Sequence, residues 1–255
     1  MKVFITGASS GIGEALARSY AARGDTLGLL ARREEQLAGL KGSLGVPCEI
    51  YPADVRDLKA VKAAAGAFMA KHGVPDIVIG NAGVSHGTLT EYEDDVDVFR
   101  RILDINVNGL VNTFHPFISP MRERGSGSLA GIASVAGFRG IPGASAYSAS
   151  KAAAIRYCES LRVELRGSGV QVTTVCPGYI ATPMTAENPY PMPFLIPAEE
   201  FARRCTRAID AKSSLAVIPW QMAIVGRILG VLPNFLYDRM MARAGRKPRI
   251  ATTQP

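Results

Sequence analysis

Tyr147 and Lys151 stand four residues apart in Ser145-Ala146-Tyr147-Ser148-Ala149-Ser150-Lys151. On a helix that spacing sets both side chains on one face, one turn apart. A phenol with an ordinary pKa of about 10 does little acid–base work at neutral pH. A neighbouring ammonium favours the phenolate, so the pair reads as a proton-transfer site with a lowered tyrosine pKa. A surface Tyr and Lys sharing a face by chance would give the same spacing. The reading therefore depends on what stands upstream.

Three upstream elements supply that company. Lys2–Thr6 reads as a buried strand, and Thr6-Gly7-Ala8-Ser9-Ser10-Gly11-Ile12-Gly13 leads from it into a helical pattern. Glycines let a backbone turn tightly and approach a pyrophosphate, which the free N–H groups of the helix start then bind. The spacing is G-x-x-x-G-x-G rather than the standard G-x-G-x-x-G, and a plain tight turn is the competing reading.

The second strand, Leu27–Ala31, ends in Arg32-Arg33-Glu34-Glu35. At that position a carboxylate takes the ribose 2′-OH of NAD, whereas a guanidinium accommodates the 2′-phosphate of NADP. Two arginines precede the first carboxylate, so NADP is favoured and NAD is the lesser alternative. Further on, the apolar run Asp76–Gly80 enters Asn81-Ala82-Gly83, and Ser134 follows the strand Ser128–Ala133. Both sites fall at carboxyl ends of strands, the edge where open α/β sheets bind ligands.

In this order and spacing, Thr6-Gly7-x-x-x-Gly11-x-Gly13, Asn81-Ala82-Gly83, Asn106, Ser134, Tyr147-x-x-x-Lys151 and Pro177-Gly178 resemble the short-chain dehydrogenase/reductase family. The resemblance covers about the first 185 residues. It implies that Tyr147 is the general acid/base and that Lys151 lowers its pKa and binds the nicotinamide ribose. Ser134 would hold the substrate oxygen, and Asn106 would support a proton relay. Asn108 is a rival on sequence alone, and Asn106 is chosen because it matches the family position. Asp54 and Val55 match the adenine contact, and Thr182 the nicotinamide carboxamide contact, although Thr182 also suits a helix N-cap. Cofactor contacts are thus expected at Gly7, Ser9, Ser10, Gly11, Ile12, Gly13, Arg32, Arg33, Asp54, Val55, Asn81, Ala82, Gly83, Tyr147, Lys151, Pro177, Gly178 and Thr182. One departure is Gly80, where the family usually has a second Asn.

The frame that must position these residues is an α/β fold. Six apolar runs alternate with helical patterns (3–6, 27–31, 47–51, 76–80, 128–133 and 170–176), and Leu215–Ile218 adds a last strand. Such alternation predicts a three-layer, doubly wound parallel sheet of about seven strands, with helices on both faces. One domain over 1–255 is expected, because the chain has no repeats or linker. The proline-rich segment 184–197 reads as a substrate lid, and 219–255 as a variable apolar and basic C-terminal extension.

The lid has no Arg or Lys, and Glu187 is its only charge, which favours an apolar ketone or aldehyde. A small hydroxy acid or amino alcohol is the runner-up, for which a basic pocket residue would be the signature. A non-catalytic dinucleotide sensor would show a damaged Ser-Tyr-Lys set, and here all three are present.

The four cysteines lack C-x-x-C spacing and the three histidines do not cluster, so neither metal nor disulfides are expected. His86 reads as an exposed loop residue. A net charge of +7 comes without aromatic-interleaved basic motifs, so no nucleic-acid partner is expected. The apolar run after Pro219, followed by a basic tail, suits packing or pocket cover. The alternative is weak peripheral contact with an anionic membrane. The first strand begins at residue 2, which points to a cytoplasmic protein, and the family resemblance implies a homodimer or homotetramer.

Overall fold

Short apolar runs punctuated by glycine and charge give a central sheet here because helices cover both of its faces, so the inner strands are buried on both sides and only the edge strands stay partly exposed. The structure, a computed structural model, describes residues 1–249. Its strands are β1 (Lys2–Thr6), β2 (Thr26–Ala31), β3 (Cys48–Pro52), β4 (Ile77–Gly80), β5 (Gly127–Ile132), β6 (Val170–Pro177), β7 (Ile180–Ala181), β8 (Ile196–Pro197) and β9 (Leu215–Ile218). The helices are α1 (Gly11–Ala21), α2 (Glu34–Leu44), α3 (Leu58–His72), α4 (Asp94–Leu103), α5 (Gly109–Arg124), α6 (Ser145–Glu164), α7 (Pro183–Ala186), α8 (Ala198–Asp210), α9 (Gln221–Val231) and α10 (Asn234–Met241).

Seven strands form one parallel sheet in the order β3-β2-β1-β4-β5-β6-β9, while β7 and β8 pair separately. Strand order reverses between β1 and β4, where Val3, Phe4 and Ile5 register with Ile77, Val78 and Ile79. A crevice forms at the carboxyl edge of such a switch point. On one face Leu16 and Tyr20 of α1, Leu37 of α2 and Phe201 of α8 join the core. Val61 and Phe68 of α3, Phe114 and Phe117 of α5 and Leu161 of α6 build the opposite one. Each such side chain contributes about 1.5–3 kcal/mol on burial.

The expected strands and the layering agree with this sheet, with bounds shifted by a residue or two. Cys48, Cys158, Cys176 and Cys205 are all buried free thiols, as expected of small core hydrophobes. Burial pushes the Cys205 thiol up to about 12. The lid segment is more ordered than a loop: α7 occupies its start and β8 its end. Residues 250–255 of the C-terminal extension lie outside the described residues.

Candidate active site

The glycine turn is shaped by backbone demands. Gly7 has φ +68°, and a Cβ there would come within 2.7 Å of the Ala82 Cα, so β1 and the β4 turn meet through it. Asn81 fastens the same junction, its Nδ2 donating to the Thr6 and Gly7 carbonyls at 3.0 and 3.2 Å. Helix α1 then starts at Gly11, and the Ser10 side chain does not cap it. Its first-turn N–H groups are therefore available to an anion. Instead of capping, the Ser10 hydroxyl accepts from Arg33 Nη2 at 2.6 Å, and Ser9 accepts from the same nitrogen at 3.0 Å.

A cavity of about 420 Å³ runs from this turn along the sheet edge. Gly7, Ser9, Ser10, Gly11 and Ile12 line its middle, Arg32, Arg33, Asp54 and Val55 one end, and Ser134, Tyr147 and Lys151 the other. Asn81, Ala82, Gly83, Pro177, Gly178 and Thr182 complete the wall. Of the expected residues only Gly13 and Asn106 stand behind it. A Cβ on Gly13 would overlap the Gly7 carbonyl and lie 2.6 Å from Asn81 Nδ2, so this glycine packs the helix onto the turn. Asp54 accepts a two-nitrogen grip from Arg56 at 2.8 and 3.1 Å, which lowers its carboxyl pKa. Thr182 caps α7, and its backbone N–H donates to Thr185 Oγ1 at 3.1 Å.

At the far end, α6 carries Tyr147 and Lys151 on one face, as the spacing predicts. The expected lowering of the Tyr147 pKa is not what the surroundings produce. Burial raises it, and the Ser134 hydroxyl only partly opposes that. Lys151 Nζ lies 5.7 Å from the Tyr147 ring centroid and donates to the Ile132 carbonyl at 2.8 Å, so its charge is not aimed at the phenol oxygen. Burial also lowers Lys151 itself, to about 8. Ser134 follows β5; its Oγ accepts from the Ala136 N–H at 3.1 Å and donates to the Pro177 carbonyl at 3.4 Å.

Asn106 is buried in a π-helical turn, Asp104–Asn108, between α4 and α5. Its Nδ2 donates to Val84 O and Ser150 Oγ, both at 2.9 Å, while Oδ1 accepts from the Val84 N–H at 2.8 Å. Ser150 Oγ in turn donates to the Tyr147 carbonyl at 2.7 Å. Asn108 bonds Asp104 on the outside instead. The Gly80 departure has a packing cause: a side chain there would overlap Leu110 and approach Phe114 to 3.3 Å.

Sequence reasoning missed Ala31, Ala53, Ile132 and Ala133 in the cavity wall, all at or just past carboxyl ends of strands, and Ile180 at the start of β7, whereas Met184 belongs to the expected lid. The strand-end rule that selected Asn81 would have selected the first four. Sequence reasoning expected the C-terminal segment to pack or cover the pocket but did not single out Lys247. Lys247 Nζ donates to Ser85 Oγ at 3.1 Å and to the Met184 carbonyl at 3.4 Å, at the cavity rim. His86 beside it is half-buried rather than exposed, and burial lowers its pKa, followed by the Lys247 charge.

The comparisons agree with this geometry. A family model described as short chain dehydrogenase matches residues 1–191. An uncharacterized oxidoreductase of Myxococcus xanthus (strain DK1622) is 40% identical over 242 residues, 94% of this chain and 95% of its own length. A 2-dehydro-3-deoxy-L-rhamnonate dehydrogenase (NAD(+)) of Sphingomonas sp. (strain SKA58) is 37% identical over 72% of this chain and 74% of its own. Among solved structures, levodione reductase superposes with TM-score 0.78 at 26% identity over 87% of this chain and 97% of its own. An actinorhodin polyketide ketoreductase with NADPH gives 0.77 at 26% over 85% and 95%. A helix start open to phosphate, joined by one cavity to a serine, a tyrosine and a lysine, is thus met in a chain that belongs to the short-chain dehydrogenase family, nicotinamide-dinucleotide oxidoreductases acting on CH–OH groups of small molecules.

Proposed function

We propose that the protein is an NADP-dependent carbonyl reductase, or secondary alcohol dehydrogenase in the reverse direction, for an apolar ketone or aldehyde. One observation carries the reading: Ser134, Tyr147 and Lys151 share a single cavity with the uncapped start of α1 and with Arg33. A nicotinamide dinucleotide held by the glycine turn and the α1 start would supply the hydride. Burial keeps the Tyr147 phenol protonated, which suits it to give a proton to the carbonyl oxygen. Ser134 Oγ donates a hydrogen bond to that oxygen and polarises it. Lys151 would have to turn from the Ile132 carbonyl for its ammonium to stabilise the phenolate as it forms. Asn106 keeps one lone pair of Oδ1 for a water between Lys151 and solvent, since its other bonds go to Val84 and Ser150.

NADP is preferred because Arg33 closes on Ser9 and Ser10, forming a guanidinium–hydroxyl nest at the 2′ end beside Arg32. Asp54, held by Arg56, is left to contact the adenine edge rather than a ribose. The 184–197 lid presents exposed Met184, Phe194 and Leu195, which supports an apolar substrate. A second reading, a small hydroxy acid, gains from Lys247 at the rim. The working unit is one domain, assembled as a homo-oligomer through the helices around Asn106 and Tyr147.

Fluorescence titration with NADPH and NADH, followed by a panel of apolar ketones, aldehydes and 2-oxo acids, tests this. Tighter NADPH binding with turnover of apolar carbonyls is expected. Turnover confined to 2-oxo acids, and lost in Lys247→Met, would select the second reading. Binding of neither cofactor would sink both.

A further inference from the structure

We propose that the outer face of α9 and α10 is a docking platform for an anionic lipid bilayer, a property independent of the catalytic reading. Both helices hang by their inner faces on one loop. Gly226 of α9 packs against the Phe138 ring so closely that a Cβ would overlap it. Arg139 donates to the Leu229 and Leu232 carbonyls, both at 3.0 Å, and to Asn234 Oδ1 at 2.8 Å. The same guanidinium lies 4.4 Å over the Tyr237 ring of α10, whose hydroxyl donates to the Gly140 carbonyl. With Met222, Gly226 and Tyr237 turned inward, the opposite faces look away from the protein body.

That outward side is apolar where a surface helix is ordinarily polar. Trp220, Ile224, Ile228 and Val231 follow one another at helical spacing and are 63%, 50%, 55% and 84% exposed. Phe235, Leu236 and Met240 continue the apolar surface onto α10. A patch of this kind marks a contact surface rather than ordinary scatter.

Charge decides the occupant. Between residues 219 and 249 there are six basic residues and one acidic one, Asp238, a net +5 out of the chain's +7. Arg227, Arg239 and Arg243 are exposed on or beside the ridge, and none forms an ion pair among the described residues. A second copy docking by a two-fold axis would set this net-positive patch against another of the same charge. A bilayer with anionic headgroups instead accepts the apolar ridge and the guanidiniums together. No helix among the described residues is long and apolar enough to cross a membrane, so the helices would lie in the interface plane.

Trp220 is the chain's single tryptophan, which makes it a reporter on the patch itself. Adding vesicles of equimolar phosphatidylglycerol and phosphatidylcholine should shift its emission to shorter wavelength and float the protein with the lipid. Pure phosphatidylcholine should do neither, and added salt should reverse the binding. Val231→Asp with Phe235→Asp should abolish flotation while NADPH titration stays unchanged. Arg227→Glu, Arg239→Glu and Arg243→Glu together should lower the partition coefficient about a hundredfold or more. Salt dependence of the unmodified protein serves the same purpose should those variants misfold. Binding to neither vesicle, or equally to both, overturns the proposal. So does a Trp220 already shielded from quencher without lipid in a concentration-dependent oligomer, which would give the face to a second copy.

Discussion

The nucleotide end of the cavity and its substrate end share one sheet edge but are held by contacts of opposite kind. At the nucleotide end the fastenings belong to the sheet itself. Gly7 N–H donates to the Leu30 carbonyl at 2.8 Å, and Asn81 bonds the Thr6 and Gly7 carbonyls. At the substrate end the wall is hung on by long-range contacts. Lys247 reaches Ser85, Arg249 Nε reaches the buried Asp95 carboxylate at 2.7 Å, and the Gly87 N–H donates to the Pro248 carbonyl at 2.9 Å. The difference teaches that the turn proposed to bind the cofactor is held by the sheet's own bonds, whereas the wall proposed for the substrate can change while the sheet stays intact.

The largest effect should come where both ends meet the chemistry. Tyr147→Phe removes the proton donor and keeps the ring, so turnover should fall about 10²- to 10⁴-fold. NADPH affinity, measured by fluorescence, should stay within about threefold. Substantial remaining turnover would take Tyr147 out of the acid role.

Two glycines then test the contrast directly. A Cβ on Gly13 would overlap the Gly7 carbonyl, and a Cβ on Gly87 would overlap the Lys247 carbonyl. The geometric insult is alike. In the first case both partners are fixed in the turn, so Gly13→Ala should cost roughly 2–3 kcal/mol in denaturant unfolding. In the second the tail can move away, so Gly87→Ala should cost less than about 1 kcal/mol and show itself in substrate KM. Equal losses of stability would erase the distinction between the two ends.

The same contrast explains what the sequence revealed. The glycine turn, the strands and the residues just past them are legible because a local backbone demand selects the residue type: Gly7 needs its positive φ and Gly13 its missing Cβ. The tail's role has no local signature, since Lys247 meets Ser85 across 162 positions. Asn106 and Asn108 could not be separated by periodicity because a π-turn breaks the helical phase between α4 and α5. The Tyr147 pKa was read in the wrong direction because spacing shows a charged neighbour but not burial, and burial dominates.

Arg33 sharpens the nucleotide side. Arg33→Ala should weaken NADPH binding about tenfold or more, the worth of a charge-assisted phosphate contact, and leave NADH nearly untouched. An equal loss for both cofactors would mean that Arg33 merely supports Ser9 and Ser10.

The last prediction concerns pH, and its sign separates the chemistry of the site from its folding. Burial lowers Lys151 to about 8 from an ordinary 10.5. If its charge assists Tyr147, reductive kcat/KM should halve near pH 8 and fall tenfold per unit above it. Folding should respond oppositely. Between about 8 and 10.5 the unfolded chain holds a proton that the native Lys151 has lost, so stability rises with pH in that window. The gain from this one group is on the order of 3 kcal/mol, and Lys151→Met should remove the dependence while destroying activity. A variant that keeps the same stability slope would show that the lysine is not the group titrating. A flat rate profile through pH 9 would instead leave Lys151 as a buried bond to the Ile132 carbonyl, part of the fold rather than of the proton transfer.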